Sequence, residues 1–151
     1  VGEPLLSSEE DFRKVIEAIM EEQEDLEPQE ALLLMGHGTE HHVNPVYAAL
    51  DYMFKDMGYE NVHVGTVEAY PSLESALRLI RVSGVKEIRL APFMVVAGDH
   101  AINDMAGEEE DSWKSRLEAE GYSVSCVMKG LGEYREIQNL YAEHAKNAKP
   151  L

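Results

Sequence analysis

The stretch Ala31-Leu-Leu-Leu-Met-Gly-His-Gly-Thr39 decides the fold of this 151-residue chain. Its first five residues are all apolar, which is typical of a strand that is buried on both faces of a parallel sheet. The run then stops at His37, which has a glycine on each side, so that a tight turn and a close approach of a ligand to the backbone are allowed. The stretch therefore predicts an α/β domain whose first strand ends at a histidine.

Strands and helices alternate along the rest of the chain. Apolar runs predict three more strands, at Val62–Val67, Glu87–Val96 and Ser123–Met128. Periodicity, caps such as Ser8 and Ser72, and stop signals predict helices over 8–24, 45–57, 72–83, 111–120 and 134–148, with a loop over 97–110. Such alternation implies right-handed crossovers. The predicted fold is a three-layer α/β sandwich with a four-stranded parallel sheet in the order 2-1-3-4.

The composition excludes several classes of function. Acidic residues number 29 against 13 basic ones, and the net charge of -16 argues against nucleic acid and membrane surfaces as partners. It is compatible with a divalent cation, although most of these charges, including the run 108–111, are expected to be solvated or to begin a helix. No apolar run approaches the ~18 residues that span a bilayer, and no signal-peptide pattern is found. We expect a cytoplasmic protein, with a periplasmic form left open because the chain begins at Val1.

Three residues that can bind a metal follow three successive predicted strands. His37 follows the first strand, Glu68 ends the second and His100 follows the third, with spacings of 31 and 32 residues. The carboxyl ends of parallel strands meet at one edge of a sheet, where open α/β sheets bind ligands. Two imidazoles and a carboxylate suit borderline divalent metals and leave positions open for a substrate. From the pattern alone, a metal site and three unrelated loop residues are equally good interpretations.

The sequence does not contain the motifs of the common cofactor sites. The glycine-rich turn at His37 does not have the third glycine of a dinucleotide fingerprint, and the chain contains no Walker A sequence. A nucleophile elbow and paired Cys-x-x-Cys cysteines are also absent from the sequence. We therefore expect no organic cofactor.

The chain also contains six distinctive motifs. They are Met35-Gly-His-Gly-Thr-Glu-His41, Gly65-Thr-Val-Glu-Ala-Tyr-Pro71, Val96-Ala-Gly-Asp-His-Ala101, Asn103-Asp-Met-Ala-Gly107, Glu109-Glu-Asp-Ser-Trp-Lys114 and Lys129-Gly-Leu-Gly-Glu133. Together they resemble the anaerobic cobalt chelatases, the sirohydrochlorin cobaltochelatases of the class II chelatase family. The resemblance runs from about Ala31 to Ala148. It implies a chelatase-like fold and a metal-inserting lyase that places Co(II) in sirohydrochlorin or precorrin-2 during anaerobic cobalamin biosynthesis.

The resemblance also implies roles for the three residues at the strand ends. The family's metal site is two histidines and a glutamate, which correspond to His37, His100 and Glu68. Co(II) is then the substrate metal, although Ni and Fe suit the same ligands. Insertion releases two pyrrole protons, and the resemblance favours His37 as the base that accepts them. The residues alone do not separate that role from metal binding.

Family members resemble two similar α/β domains with a tetrapyrrole cleft between them, and this chain resembles the carboxyl-terminal one. Residues 1–30 are expected to form a connecting helix and linker, and residues 31–151 the metal-binding domain. An amino-terminal domain, or a second copy of the chain in a homo-oligomer, is expected to complete the cleft. Lys129 and Lys114 are candidates for contacting the tetrapyrrole carboxylates. Two alternatives are a non-catalytic carrier of metal or tetrapyrrole and a half-enzyme that is active only with the other domain.

The remaining histidines and the tryptophan have simpler interpretations. His41 and His42 are accessory ligands or exposed loop residues, whereas His63 and His144 are structural or superficial. Trp113 is expected to anchor the core rather than to stack on a ligand.

Overall fold

The computed structural model describes residues 6–39, 44–94 and 97–148. Helices and strands alternate through these ranges. In chain order they are α1 (Glu9–Glu22), β1 (Glu30–Gly36), α2 (Pro45–Asp56), β2 (Val62–Thr66), α3 (Leu73–Ser83), β3 (Glu87–Pro92), α4 (Asp99–Ala106), α5 (Trp113–Ala119), β4 (Ser123–Cys126), a 3₁₀ turn (Leu131–Glu133) and α6 (Arg135–Lys146). None of the helices within the described ranges is long and apolar enough to cross a membrane.

The four strands form one parallel sheet in the order β2-β1-β3-β4, as predicted. Strand β1 lies between β2 and β3, since Leu34 pairs with Val64 on one side and with Ala91 on the other. Strand β4 pairs only with β3 among the described strands, and Leu90 lies opposite Cys126. The switch point between β1 and β3 is therefore the one that the alternation of elements predicted.

Both faces of β1 are covered, which explains its uninterrupted apolar sequence. Leu32 and Leu34 belong to a core cluster that α1, α2 and α6 complete. Leu33 and Met35 point to the opposite face and belong to a second cluster with residues of α3, α4 and α5. All seven residues of β1 are buried. The three-layer architecture follows, because successive side chains of a strand point to opposite faces of the sheet.

Helix α1 is packed onto the first of these clusters. Its residues Val15, Ile16 and Ile19 are almost completely buried. The predicted cap is present, because the Ser8 hydroxyl accepts a hydrogen bond from the Asp11 amide over 3.2 Å. The division of the chain at residue 30 stays a prediction.

The predicted loop over 97–110 is wrong, because α4 occupies most of it. Helix α4 begins after Gly98, and Asp99 in its first turn favours a helix amino terminus. Met105 is fully buried against the second core cluster and fixes the helix on the sheet. Helix α4 has only eight residues, of which Met105 alone is buried, and this short pattern explains why periodicity did not predict it. Strand β3 also ends at Pro92, before the predicted end at Val96, and residues 95 and 96 lie outside the described ranges.

Candidate metal centre

The first two strand-end residues are held side by side by the backbone. Pairing between β1 and β2 continues past the strands, since the Val67 amide donates to the Gly36 carbonyl over 3.0 Å and the Glu68 amide donates to the His37 carbonyl over 3.1 Å. His37 and Glu68 therefore occupy neighbouring positions at the carboxyl edge of the sheet. This placement agrees with the sequence prediction for these two residues.

The side chains of His37 and Glu68 also approach each other. Nδ1 of His37 lies 3.6 Å from Oε2 of Glu68, and the two side chains are 64% and 62% exposed. The same Nδ1 lies 3.0 Å from the Gly38 carbonyl oxygen. Because a carbonyl can only accept, Nδ1 carries the proton when this bond forms, and Nε2 of the neutral ring then keeps its lone pair. The pair thus offers one imidazole nitrogen and one carboxylate to solvent.

Glycine is required on both sides of His37, for different reasons. A Cβ atom on Gly36 would overlap the ring of Tyr47. Gly38 has a φ of +83°, and a Cβ there would lie 2.9 Å from Cβ of Thr66 and 3.0 Å from Cβ of Ala69. The histidine loop is therefore packed against both α2 and the loop that carries Glu68.

The third predicted ligand, His100, lies apart from this pair. It is the second residue of α4 and is exposed. Across residues 6–39, 44–94 and 97–148, no three His, Cys, Asp or Glu side chains come together closely enough to hold a metal ion. A metal shared by all three residues would require the His100 imidazole to be brought to the pair. The three-residue site stays a prediction, and His41 and His42 lie outside the described residues.

Two residues that were not predicted also contact the site, Tyr47 in the first turn of α2 and Asn44 directly before the helix. The Tyr47 hydroxyl accepts a hydrogen bond from the Gly38 amide over 3.4 Å. The Asn44 side chain contacts both the loop of His37 and the loop of Glu68. An asparagine directly before a predicted helix indicates a cap, so the sequence carried no signal for this second role.

The lysines that were predicted to contact a tetrapyrrole are engaged with acidic residues. Nζ of Lys129 lies 3.2 Å from Oε2 of Glu22 and 4.7 Å from the ring centroid of Tyr134. Nζ of Lys114 lies 3.8 Å from Oε1 of Glu118, one turn along α5. A role in binding substrate carboxylates stays a prediction, and for Lys129 it would compete with the contact to α1.

Two further histidines have structural positions, as predicted. His144 Nε2 lies 3.0 Å from Oδ1 of Asp11 and joins α6 to α1. His63 on β2 is 3% exposed, and neither ring nitrogen has a hydrogen-bond partner within the described ranges. Burial, together with the nearby charge of Lys55, lowers the pKa of His63 to about 4. Trp113 is buried in the second core cluster, also as predicted.

Comparison with known proteins gives a consistent result along nearly the whole chain. Residues 1–149 match the family described as Cobalt chelatase (CbiK). The sirohydrochlorin cobaltochelatase of Salmonella typhimurium is 39% identical over 148 residues, which cover 98% of this chain and 56% of that protein. The sirohydrochlorin cobaltochelatase CbiKC of Nitratidesulfovibrio vulgaris is 36% identical over 145 residues, or 95% of this chain and 51% of that protein. The chain spans about half the length of the curated relatives it matches.

A solved structure shares the fold. The crystal structure of a cobalamin (vitamin B12) biosynthesis CbiX protein from Marinobacter aquaeolei VT8 aligns with a TM-score of 0.56 and 20% identity. The alignment covers 79% of this chain and 99% of that one. At this identity the likeness shows the fold alone.

Proposed function

This chain belongs to the cobalt chelatase (CbiK) family, and from that membership we propose that it forms the metal-holding part of an enzyme that inserts Co(II) into sirohydrochlorin. The observation that carries the proposal is the position of His37 beside Glu68 at the carboxyl edge of the sheet. Nδ1 of His37 lies 3.6 Å from Oε2 of Glu68, and both side chains are open to solvent. Open α/β sheets bind ligands at this edge. An imidazole and a carboxylate suit Co(II), and both side chains are accessible to an ion that arrives from solution.

In this proposal Co(II) is held by His37, Glu68 and His100. The imidazole of His37 and the carboxylate of Glu68 form the first part of the site, and the imidazole of His100 joins when the metal draws it in from the start of α4. Three protein ligands leave coordination positions open, so that the pyrrole nitrogens of the substrate can replace bound water. Precorrin-2, a tetrapyrrole like sirohydrochlorin, is the alternative substrate in this proposal.

Metal insertion also requires a proton acceptor. Two pyrrole N–H bonds break, four cobalt–nitrogen bonds replace the bonds of the metal to protein and water, and two protons leave the macrocycle. His37 is the proposed base for one of these protons as its own bond to the metal breaks, because a neutral imidazole accepts a proton near neutral pH, and the other proton passes to solvent. The carboxylate of Glu68 lies close enough to stabilise the imidazolium that results.

The other wall of the substrate cleft is proposed to come from a second α/β unit. The relatives are about twice as long as the segment that they share with this chain. A second copy of this chain would provide the same architecture. In either case the edge of the sheet that carries His37 and Glu68 would face the substrate.

The test is an insertion assay with sirohydrochlorin and Co(II), followed by the change in visible absorbance. The chain is assayed alone and mixed with the half of the Salmonella relative that it does not match. His37→Ala, Glu68→Ala and His100→Ala should each abolish turnover, whereas Glu108→Ala in the exposed acidic run should not. Tight Co(II) binding without turnover in every mixture would instead indicate a metal carrier. If His37→Ala, Glu68→Ala and His100→Ala left turnover unchanged, the proposed site would be wrong.

A further inference from the structure

Asn44 occupies the N-cap position of α2 but does not cap the helix. At this position an asparagine side chain usually accepts a hydrogen bond from an amide in the first turn. Here the backbone of Asn44 is already helical, with φ of -56° and ψ of -33°, and its side chain makes no capping bond. The usual structural reason for an asparagine at a helix start therefore does not account for its side chain.

The amide group of Asn44 instead joins two loops. Its Oδ1 accepts a hydrogen bond from the Thr39 amide over 2.9 Å. Its Nδ2 donates a hydrogen bond to the Tyr70 carbonyl over 2.6 Å. Thr39 is two residues after His37, and Tyr70 is two residues after Glu68. One side chain thus connects equivalent points of the loops that carry the two candidate metal ligands.

The chemistry of this bridge requires an amide. The Thr39 amide needs an acceptor and the Tyr70 carbonyl needs a donor, and an asparagine side chain provides one of each at a fixed separation. An aspartate could accept from Thr39 but would place a second oxygen against the Tyr70 carbonyl. The preference for asparagine therefore follows from both partners together.

The bridge completes a closed arrangement around the site. On the strand side, the two loops are joined by the hydrogen bond from the Glu68 amide to the His37 carbonyl. On the far side, they are joined by Asn44. The side chains of His37 and Glu68 are both more than half exposed, so core packing does not fix their separation. That separation depends on the two loop backbones, and hence on the bonds that join them.

We propose that Asn44 is a positioning residue that holds the loops of His37 and Glu68 together so that both side chains can reach one Co(II) ion, an inference that rests on the proposed function. It contacts neither the metal nor the substrate. Residues that orient metal ligands in this way influence metal affinity strongly, and their loss reduces it by about 10- to 100-fold.

The experiment compares Asn44→Ala with Asn61→Ala in the same full chain. Asn61 is a matched control, because its Nδ2 also donates to a distant carbonyl, that of Glu30 over 3.0 Å, at the opposite edge of the sheet. Co(II) affinity, the visible spectrum of bound Co(II) and the thermal midpoint of the metal-free protein are measured for each. We expect Asn44→Ala to weaken Co(II) binding by about 10-fold or more and to change the spectrum, with Asn61→Ala unchanged in both. The two variants should lose similar thermal stability.

A second measurement needs no metal. The nuclear Overhauser effect between the His37 ring and the Glu68 side chain should be present in the wild type and in Asn61→Ala and weakened in Asn44→Ala. Unchanged Co(II) affinity in Asn44→Ala, an equal loss in Asn61→Ala, or an unchanged Overhauser effect would each overturn the positioning role. Failure of the wild type to bind Co(II) would overturn the proposed function, and the Overhauser effect would then still decide whether Asn44 holds the two side chains together.

Discussion

The amide of Glu68 donates a hydrogen bond to the carbonyl of His37 over 3.1 Å, so two residues that are 31 positions apart in the chain are locked side by side. The bond lies just beyond the last pair of β1 and β2, Gly36 and Thr66. The geometry of the candidate metal centre is therefore a continuation of the sheet. Substitutions that disturb this edge of the sheet should alter Co(II) binding, and substitutions elsewhere should affect stability alone.

Co(II) binding should weaken as the pH falls. A histidine ligand must be deprotonated, and free imidazole titrates near ~6.5. Metal competes with protons, so the apparent midpoint should lie below that value. Titration with Co(II) between about pH 5 and 8 measures the effect in the wild type and in the His37→Ala, His100→Ala double variant. A flat profile would argue against neutral histidine ligands, and wild-type affinity in the double variant would move the metal elsewhere, such as the acidic run 108–111.

Replacing Gly38 with alanine should weaken metal binding, whereas the same change at Gly58 should not. Both glycines have positive φ, +83° and +94°, so each replacement should cost about 1 kcal/mol or more through backbone strain. A Cβ at Gly58 meets nothing within 4 Å, but a Cβ at Gly38 would press on Thr66 and Ala69 and displace His37. Chemical denaturation and Co(II) titration separate the two effects. Equal Co(II) affinities in the two variants would refute the role of close packing at Gly38.

The stability of the protein should fall between pH 6.5 and pH 4 because of His63. Burial holds its pKa near 4 in the folded state, below the ordinary value of 6.5. In this window the unfolded chain binds a proton that the folded chain does not, so the free energy of unfolding decreases as the pH falls, by up to about 1.4 kcal/mol per pH unit. Denaturation curves at several pH values measure this slope.

His63→Leu provides the variant for that measurement. It should remove most of the slope and keep or raise stability at pH 7, since an apolar side chain needs no hydrogen-bond partner at this buried position. His144→Leu is the contrasting control, because it breaks a bond to Asp11 and should lower stability at pH 7. The explanation would be wrong if wild type and His63→Leu showed the same dependence on pH.

Arg89 should be essential for stability and dispensable for metal binding. Its Nε and one terminal nitrogen each lie 3.1 Å from an oxygen of Glu30, and its other terminal nitrogen contacts Asp25 and Gln23. Glu30 is buried at the amino edge of the sheet, so Arg89→Met would leave a carboxylate without its partner and should cost about 3–5 kcal/mol. The double variant Arg89→Met, Glu30→Met should recover much of the loss. Denaturation midpoints are measured for both variants. If the single variant lost less stability than the double variant, this explanation would be wrong.

Much of the fold was predictable because its signals are local. The five apolar residues at 31–35 indicated a strand covered on both faces, and Ser8 and Ser72 indicated where helices begin. Their caps form with amides only three residues away. Helix α4 was not predicted because its position depends mainly on the burial of Met105 against distant parts of the chain.

By itself, the sequence determined the order of the strands and the edge at which His37 and Glu68 meet, because hydrophobic periodicity and parallel crossovers leave few arrangements. The motifs separately pointed to the family. Only the tertiary structure decided how Asn44 is used, that Lys129 turns to Glu22, and that His63 is buried with no hydrogen-bond partner among the described residues. The physical reason is distance along the chain. Lys129 and Glu22 are 107 residues apart, so the sequence around either residue does not indicate the other as its partner. Which partner it meets is settled when the helices pack on the two faces of the sheet.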